Sequence, residues 1–363
     1  MKNQIAVFAL LIIFSAELQA QTIYTADNNP GAIGGVNTFT GPTALTDAIT
    51  AAAAGDIIHV TRSATDYGPA TISKQLSLFG IGLNPDTDGT TRSIVNTLTV
   101  DNPAASGTRI SGLHINTVLE IGGVAGNLNN LLIENSHIRQ IKHLSGTTTL
   151  TNIMIRNNVV GSFFTTNEEK ILLIDGTTSN VVIANNVLYT TFNASGTGGV
   201  ISVGNASSVE NNLFIGNGVA QTYSFRNFVG NSVKNNIFYR LRPQGIGTFA
   251  NNTFENNLSY NTGNDVFVTT NGNTSSNNIE GQDPLIANVG AVNGISYPTF
   301  DPTLGTGSPA IGSGEGGTDM GVLGGAAPMK LNGTLIPLIQ SITLPSIILK
   351  GTDLPVQIQA TGN

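Results

Sequence analysis

The stretch 152-NIMIRNNVV-160 sets a pair of Asn residues in the middle of what otherwise reads as a good strand. Asn is a poor strand residue, so one such pair would carry little information. The phrase returns as 181-VVIANNVLY-189, 209-VENNLFI-215, 233-VKNNIFY-239 and 249-FANNTFE-255. The second Asn of each pair falls at Asn158, Asn186, Asn212, Asn236 and Asn252, a spacing of 16 to 28 residues. Weaker matches extend the frame upstream, in 110-ISGLHI-115 and 133-IENSHI-138, and downstream in 275-SSNNIE-280. One register therefore runs from about residue 57 to 285 and predicts roughly nine turns of a repeat.

A period of twenty-odd residues, holding short β-branched runs separated by Gly, Ser, Thr and Asn, specifies a solenoid of stacked coils. Stacked strands lie ~4.8 Å apart, so nine coils give a rod core of roughly 45 Å. The repeated Asn then has a structural reason. At a sharp turn its side chain bonds the backbone and tolerates a left-handed conformation. At the same turn of successive coils, Asn side chains can also bond one another and form a ladder.

Composition agrees with a turn-dense β protein. Of 363 residues only 10% are charged, against roughly 25% in ordinary soluble domains, while Gly reaches 43 and Asn about forty. Hydrophobic residues at 40% supply a sizeable core and exclude disorder of the whole chain. The net charge of −7 argues against nucleic acid as a partner. Without Cys there are neither disulfides nor a lipid-modified N-terminal Cys. Lys2, the apolar run 5-IAVFALLIIF-14 and the small-residue ending 18-LQA-20 read as a signal peptide over residues 1–20. The expected location is extracellular or at the cell surface, with the periplasm as the alternative. No later apolar run is long enough to span a bilayer.

Three segments carry a family resemblance. The first is 43-TALTDAITAAAAGDIIHV-60 followed by 68-GPATISKQLSLFGIG-82. It predicts a helix over about 43–54, starting near Thr43 or Thr46 and closing at Gly55, then a first coil. The second is the Asn-Asn series. The third joins 278-NIEGQDPLIANVG-290 to 307-GSPAIGSGEGGTDMGVLGG-325. Over about residues 22 to 328 the chain resembles secreted bacterial right-handed parallel β-helix proteins, the superfold of the pectate lyases. The resemblance implies an all-β chain with an N-terminal cap at 21–56 and a right-handed parallel β-helix at 57–328. A tail at 329–363 follows, in which 335-IPLIQSITLPSIILKGTDLPVQIQATGN-363 alternates like two strands joined by a Lys-Gly-Thr turn. Function stays open, because this superfold hosts lyases, hydrolases and adhesins.

Pectin-cutting hydrolases of this fold carry an Asn-Thr-Asp triplet, an Asp-Asp pair, Gly-His-Gly and Arg-Ile-Lys. None occurs in the chain, and the nearest string, 139-RQIKH-143, has an extra residue. The lyases use a Ca²⁺ site of several acids and an Arg base. The most acidic stretch is 165-TTNEEKILLIDG-176, and it makes Glu168, Glu169 and Asp175, with Arg156 and His143, the candidates if the chain is an enzyme. A solvated loop tip explains Glu-Glu-Lys more simply. The register juxtaposes Glu134 with Arg156, and Glu210 with Lys234, as ion pairs on an exposed face. Glycoside hydrolysis needs paired carboxylates instead.

His114 and His137 share a frame position and are expected to stack ~5 Å apart, an exposed pair without the third ligand a Zn²⁺ site needs. The string 84-NPDTDGTTRS-93 offers Asp86, Asp88 and Gly89 in a Ca²⁺-loop-like pattern but lacks its closing Glu. No cofactor is therefore expected, with Ca²⁺ the one ion to consider. Tyr189 and Tyr239 share a position two coils apart, with Ile215 between and Arg240 and Arg242 at one end. Facing outward they would make a strip for stacking sugars; facing inward they would cover the core edge. The leading expectation is a non-catalytic, adhesin-like or polysaccharide-binding surface protein. The alternative is a lyase or glycoside hydrolase acting on an acidic polysaccharide along the rod.

Overall fold

Ile155, in the strand of the opening stretch, is wholly buried and stacks between Ile133 and Ile183. The column continues through Ile110, Leu78 and Ile58 in one direction, and through Val209, Val233 and Phe254 in the other. Each coil thus buries its aliphatic residue only against the coils above and below, as a solenoid requires. These contacts come from a computed structural model, which describes residues 21–83, 92–144, 147–162, 171–174, 178–190, 199–216, 223–289, 299–331, 338–343 and 357–361.

The fold is a parallel β-helix. Its first face belongs to a 13-stranded sheet, in which ten successive rungs run from Ile57–Val60 to Thr274–Ser276. The roughly nine coils expected over this span are met. The second and third faces belong to one 15-stranded sheet, because Ile94–Val100 and His114–Ile121 bend through both. Second-face rungs include Val159–Ser162, Val187–Thr190, Leu213–Ile215, Ile237–Tyr239 and Leu258–Tyr260. Third-face rungs include Ile141–His143, Leu172–Ile174, Tyr223–Val229 and Arg242–Ala250. Toward the C-terminal end the core turns aromatic, with Phe214 stacked 4.6 Å from Phe238 and Phe225 stacked 4.3 Å from Phe228.

The two Asn of each pair divide the work. The first sits in the left-handed region at the turn between the first and second faces, with φ of 55° at Asn157, 53° at Asn185, 53° at Asn211 and 55° at Asn235. The second points inward and is fully buried at Asn158, Asn186, Asn212, Asn236 and Asn257. Each inward Nδ2 donates to the Oδ1 of the next rung at 3.0–3.1 Å along this run, ending at 2.9 Å on Asn278. The expected ladder is present, with one correction to its frame. Asn252 is not a member. It belongs to a second ladder at the turn that opens the first face, where Ser207 N–H, Asn231 N–H and Asn252 N–H donate to Asn231, Asn252 and Asn273. The run 249-FANNTFENN-257 carries both turns, one on each side of the short strand Thr253–Glu255, so two Asn-Asn pairs mark one coil.

Both ends of the rod are covered. The helix Ala44–Ala51 buries Ala44, Leu45, Ala48 and Ile49 over the first coil. It is shorter than the expected 43–54, because Ala52 already adopts an extended ψ of 142°. Thr43 precedes it without capping a backbone N–H; its hydroxyl bonds Asp47 instead, at 2.7 Å. At the other end the chain between Tyr260 and Thr274 folds over the last rungs, where Phe267 packs on Phe238 and Phe254 and its N–H donates to Glu280.

Residues 312–325 then run back along the outside of the rod as a strap. Glu315 N–H donates to Asn235 Oδ1 at 2.8 Å, and Asn185 Nδ2 donates to the carbonyls of Val322 and Gly324 at 3.1 and 2.8 Å. The left-handed Asn residues therefore serve as its anchor points. Beneath it, Met320 and Val322 seal the outward apolar column Val159, Val187, Leu213, Ile237 and Leu258 into a second core. In the tail, Leu338–Thr343 pairs antiparallel with Gln357–Thr361, while the Lys-Gly-Thr turn lies outside the described residues. Among the described residues no helix is long and apolar enough to cross a membrane.

Candidate functional site

The outward side chains of the first face form two columns along the rod. One runs Leu132, Met154, Val182, Ser208, Ser232 and the other Glu134, Arg156, Ala184, Glu210, Lys234. Ala184 is the small residue between two long ones. Its missing bulk, with the strap standing alongside, opens a recess of about 360 Å³. Met154, Val182 and Ala184 line it with apolar surface, Arg156 and Glu210 stand on the rungs to either side, and Glu315, Thr318 and Gly325 contribute from the strap. Arg156 and Glu210 are two rungs apart, which places their backbones ~10 Å from each other.

The charges around the recess are mostly committed. Glu134 is only 2% exposed and is gripped from both sides. Arg109 reaches it through Nε at 2.7 Å, and Arg156 through Nε and Nη2, each at 2.8 Å. The expected Glu134–Arg156 pair therefore exists, but it is a buried carboxylate between two guanidiniums and not an exposed pair. Arg109 also stacks over the Phe79 ring, 4.9 Å from its centroid. Lys234 neighbours Glu210 in register, yet its ion pairs go to Glu255 at 3.0 Å and Glu315 at 3.7 Å. The hydrogen bond that it donates to Glu255 is the main cause that raises its pKa.

The other candidates separate. Arg156 faces outward on the first face, whereas His143 is 4% exposed on the third face, so the two do not share a cleft. Glu168, Glu169, Lys170 and Asp175 lie outside the described residues, as do Asp86, Asp88 and Gly89. Tyr189 is only 5% exposed and belongs to the core sealed by the strap, so its ring is not a stacking surface. Tyr239 is partly exposed and Arg240 lies 4.9 Å from its ring centroid. Its true aromatic neighbour is Tyr260 on the next rung, with ring centroids 5.9 Å apart. The Asn pair that sets this column is 256–257 and not 251–252, and in 254-FENNLSY-260 it puts Tyr260 in the column of Tyr239.

His114 and His137 stack at 4.5 Å between ring centroids, as their shared position predicts. The pair is partly buried and not exposed. Burial, helped by Arg92, holds the pKa of His114 down to about 4, and burial next to His114 holds that of His137 well below the ordinary value. Among the described residues no three His, Asp or Glu side chains come together to hold a metal.

No family model matches the chain, and neither does any curated protein.

Proposed function

We propose that the protein is an exported, non-catalytic rod that binds a polysaccharide along its first face, and that its β-helix is of the pectate-lyase-like kind. The recess over Ala184 carries this reading. It combines a small apolar floor with guanidinium, carboxylate, amide and hydroxyl groups at its rim, the mixture that matches a sugar ring with one CH-rich face and a hydroxyl edge. The rung spacing of ~4.8 Å also approximates the length of one sugar residue, so a repeating chain can follow a repeating surface. Export is supported by the signal-like residues 1–20.

The carboxylates favour binding without cleavage: Glu134 is buried under two arginines, and of the two acids that line the recess, Glu210 and Glu315, the second is ion-paired with Lys234. The test is size exclusion of neutral and acidic polysaccharides after long incubation with the protein, with and without Ca²⁺. Co-elution with intact chains, lost in the recess-filling variant Ala184→Trp, is the expected result. Shortened chains would overturn the non-catalytic reading and favour the lyase or hydrolase alternative.

A further inference from the structure

Among the described residues, two arginines at the corner between the second and third faces have no carboxylate partner. Arg240 and Arg242 flank Leu241, which is fully buried, so both guanidiniums remain outside the core. Arg240 stacks on Tyr239, and Arg242 lies 5.5 Å from the ring centroid of Tyr223, its neighbour in register. Among the described residues neither arginine takes part in an ion pair. The contrast with Arg109 and Arg156, both spent on Glu134, is direct.

Two further observations point to a ligand. The Nε of Arg242 is buried and has no hydrogen-bond partner among the described residues, an orphaned donor of the kind that a bound acceptor satisfies. Arg240 itself holds a φ of 58°, a left-handed conformation that elsewhere in this chain falls almost wholly to Asn and Gly. Strain of this kind on a bulky residue collects at functional sites. The rung before makes room for this turn, since a Cβ on Gly216 would lie 2.2 Å from the Arg240 carbonyl. Tyr260 extends the aromatic surface, and its hydroxyl is engaged by Asp283, which raises its pKa and marks the acidic end of the patch. The opposite end, at Arg242 and Tyr223, is cationic.

We infer that this corner is a second binding site, separate from the first-face recess, and that it takes an acidic glycan. Sugar faces lie against the tyrosines, and a carboxylate or sulfate accepts from Arg240 and Arg242. Because the whole chain carries −7, such binding depends on local pairing and weakens as salt rises.

The test measures affinity of the full chain for polygalacturonate, dextran sulfate and uncharged dextran. The probes are compared across wild type, Arg242→Gln, Arg240→Gly and Ala184→Trp. Gly at 240 keeps the left-handed turn, and Arg242→Gln is a strand position that tolerates Gln, so either variant alone can decide. At least one polyanion is expected to bind in a salt-sensitive manner, with affinity lowered tenfold or more by each arginine substitution and little changed by Ala184→Trp. Which polyanion binds names the acid group. Unchanged affinity in both arginine variants overturns the proposal, as does binding of inorganic sulfate as tight as that of the polymer. Polyanion binding lost only in Ala184→Trp sinks this site while leaving the recess reading intact. Binding of neither polyanion, with dextran bound, does the same.

Discussion

Asn212 is the clearest place to break the rod from within. Its Nδ2 donates to the carbonyls of Ile183 at 2.8 Å and Glu210 at 3.0 Å, and to Asn236 Oδ1 at 3.0 Å. Its Oδ1 accepts from Asn186 N–H at 2.9 Å and Asn186 Nδ2 at 3.0 Å. Several partners keep an alternative when Asn212 becomes Ala. The Glu210 carbonyl retains Asn185 N–H, Asn236 Oδ1 retains Asn212 N–H, and Asn186 Nδ2 retains the carbonyls of Ile155 and Ala184. The Asn186 N–H and the Ile183 carbonyl each lose a buried bond. At about 1–3 kcal/mol for each group left short, the variant should lose about 2–5 kcal/mol.

Asn211 next door is the control. It is left-handed, and its side chain makes two long contacts, Nδ2 donating to the Asp319 carbonyl at 3.4 Å and Oδ1 accepting from Asn235 Nδ2 at 3.5 Å. Ala there should cost about 1–2 kcal/mol, from forcing a Cβ into the left-handed region. Gly should cost less, because it adopts that φ freely. Urea unfolding orders the three variants, and amide exchange adds a local readout, since the Asn186 amide should lose protection in Asn212→Ala alone. Should Asn212→Ala prove no less stable than Asn211→Ala, the inward Asn does not hold the ladder and the reasoning fails.

Acid should loosen the stacked histidines. Both prefer to be neutral in the fold, so the unfolded chain binds more protons between its ordinary His pKa and the folded value. Stability is then full above about pH 6.5 and falls as pH drops toward 4, by up to about 3 kcal/mol for His114 alone. Urea unfolding at stepped pH checks this, and a His114→Gln, His137→Gln double variant should flatten that part of the profile. Glu134→Gln removes a buried charge from between two partly exposed guanidiniums and should cost about 2 kcal/mol, whereas Lys234→Gln should cost under about 1 kcal/mol. Comparable losses for the two would contradict the burial of Glu134. In Gly324→Ala a Cβ would meet the Asp319 carbonyl at 1.8 Å, so the strap should lift and residues 312–325 should become protease-sensitive before the rod unfolds.

The fold was legible because its determinants are local and repeated. A buried Asn every coil and an aliphatic residue two positions before each pair leave a periodic trace that needs no knowledge of distant contacts. The frame slipped only where the trace doubled, in 249-FANNTFENN-257, because identical dipeptides mark two turns of different geometry. The site was less legible. The recess depends on Ala184 being small between Arg156 and Glu210 and on a strap that returns from more than a hundred residues downstream, and no spacing rule links Asn185 to Gly324. The burial of Tyr189 has the same origin, since the choice between its two expected orientations turns on a cover that comes from the same distant segment. Arg240 and Arg242 are visible in the sequence at the end of the tyrosine strip, but the pairing of Arg242 with Tyr223 is set by third-face register, which no local signal gives.

The strap also decides how the rod answers to force. It anchors first at the rung of Asn235 and last at that of Asn185, so the chain advances away from the C-terminal end while it is being fastened. Tension applied beyond Met329 therefore does not unpeel the terminal rung. It arrives in mid-rod, at the Asn185 bonds, and pulls the strap along its own length, so that its anchors and the apolar strip beneath must slip together. A tether built in this way fails late and abruptly, whereas one leaving from the last coil would unzip rung by rung.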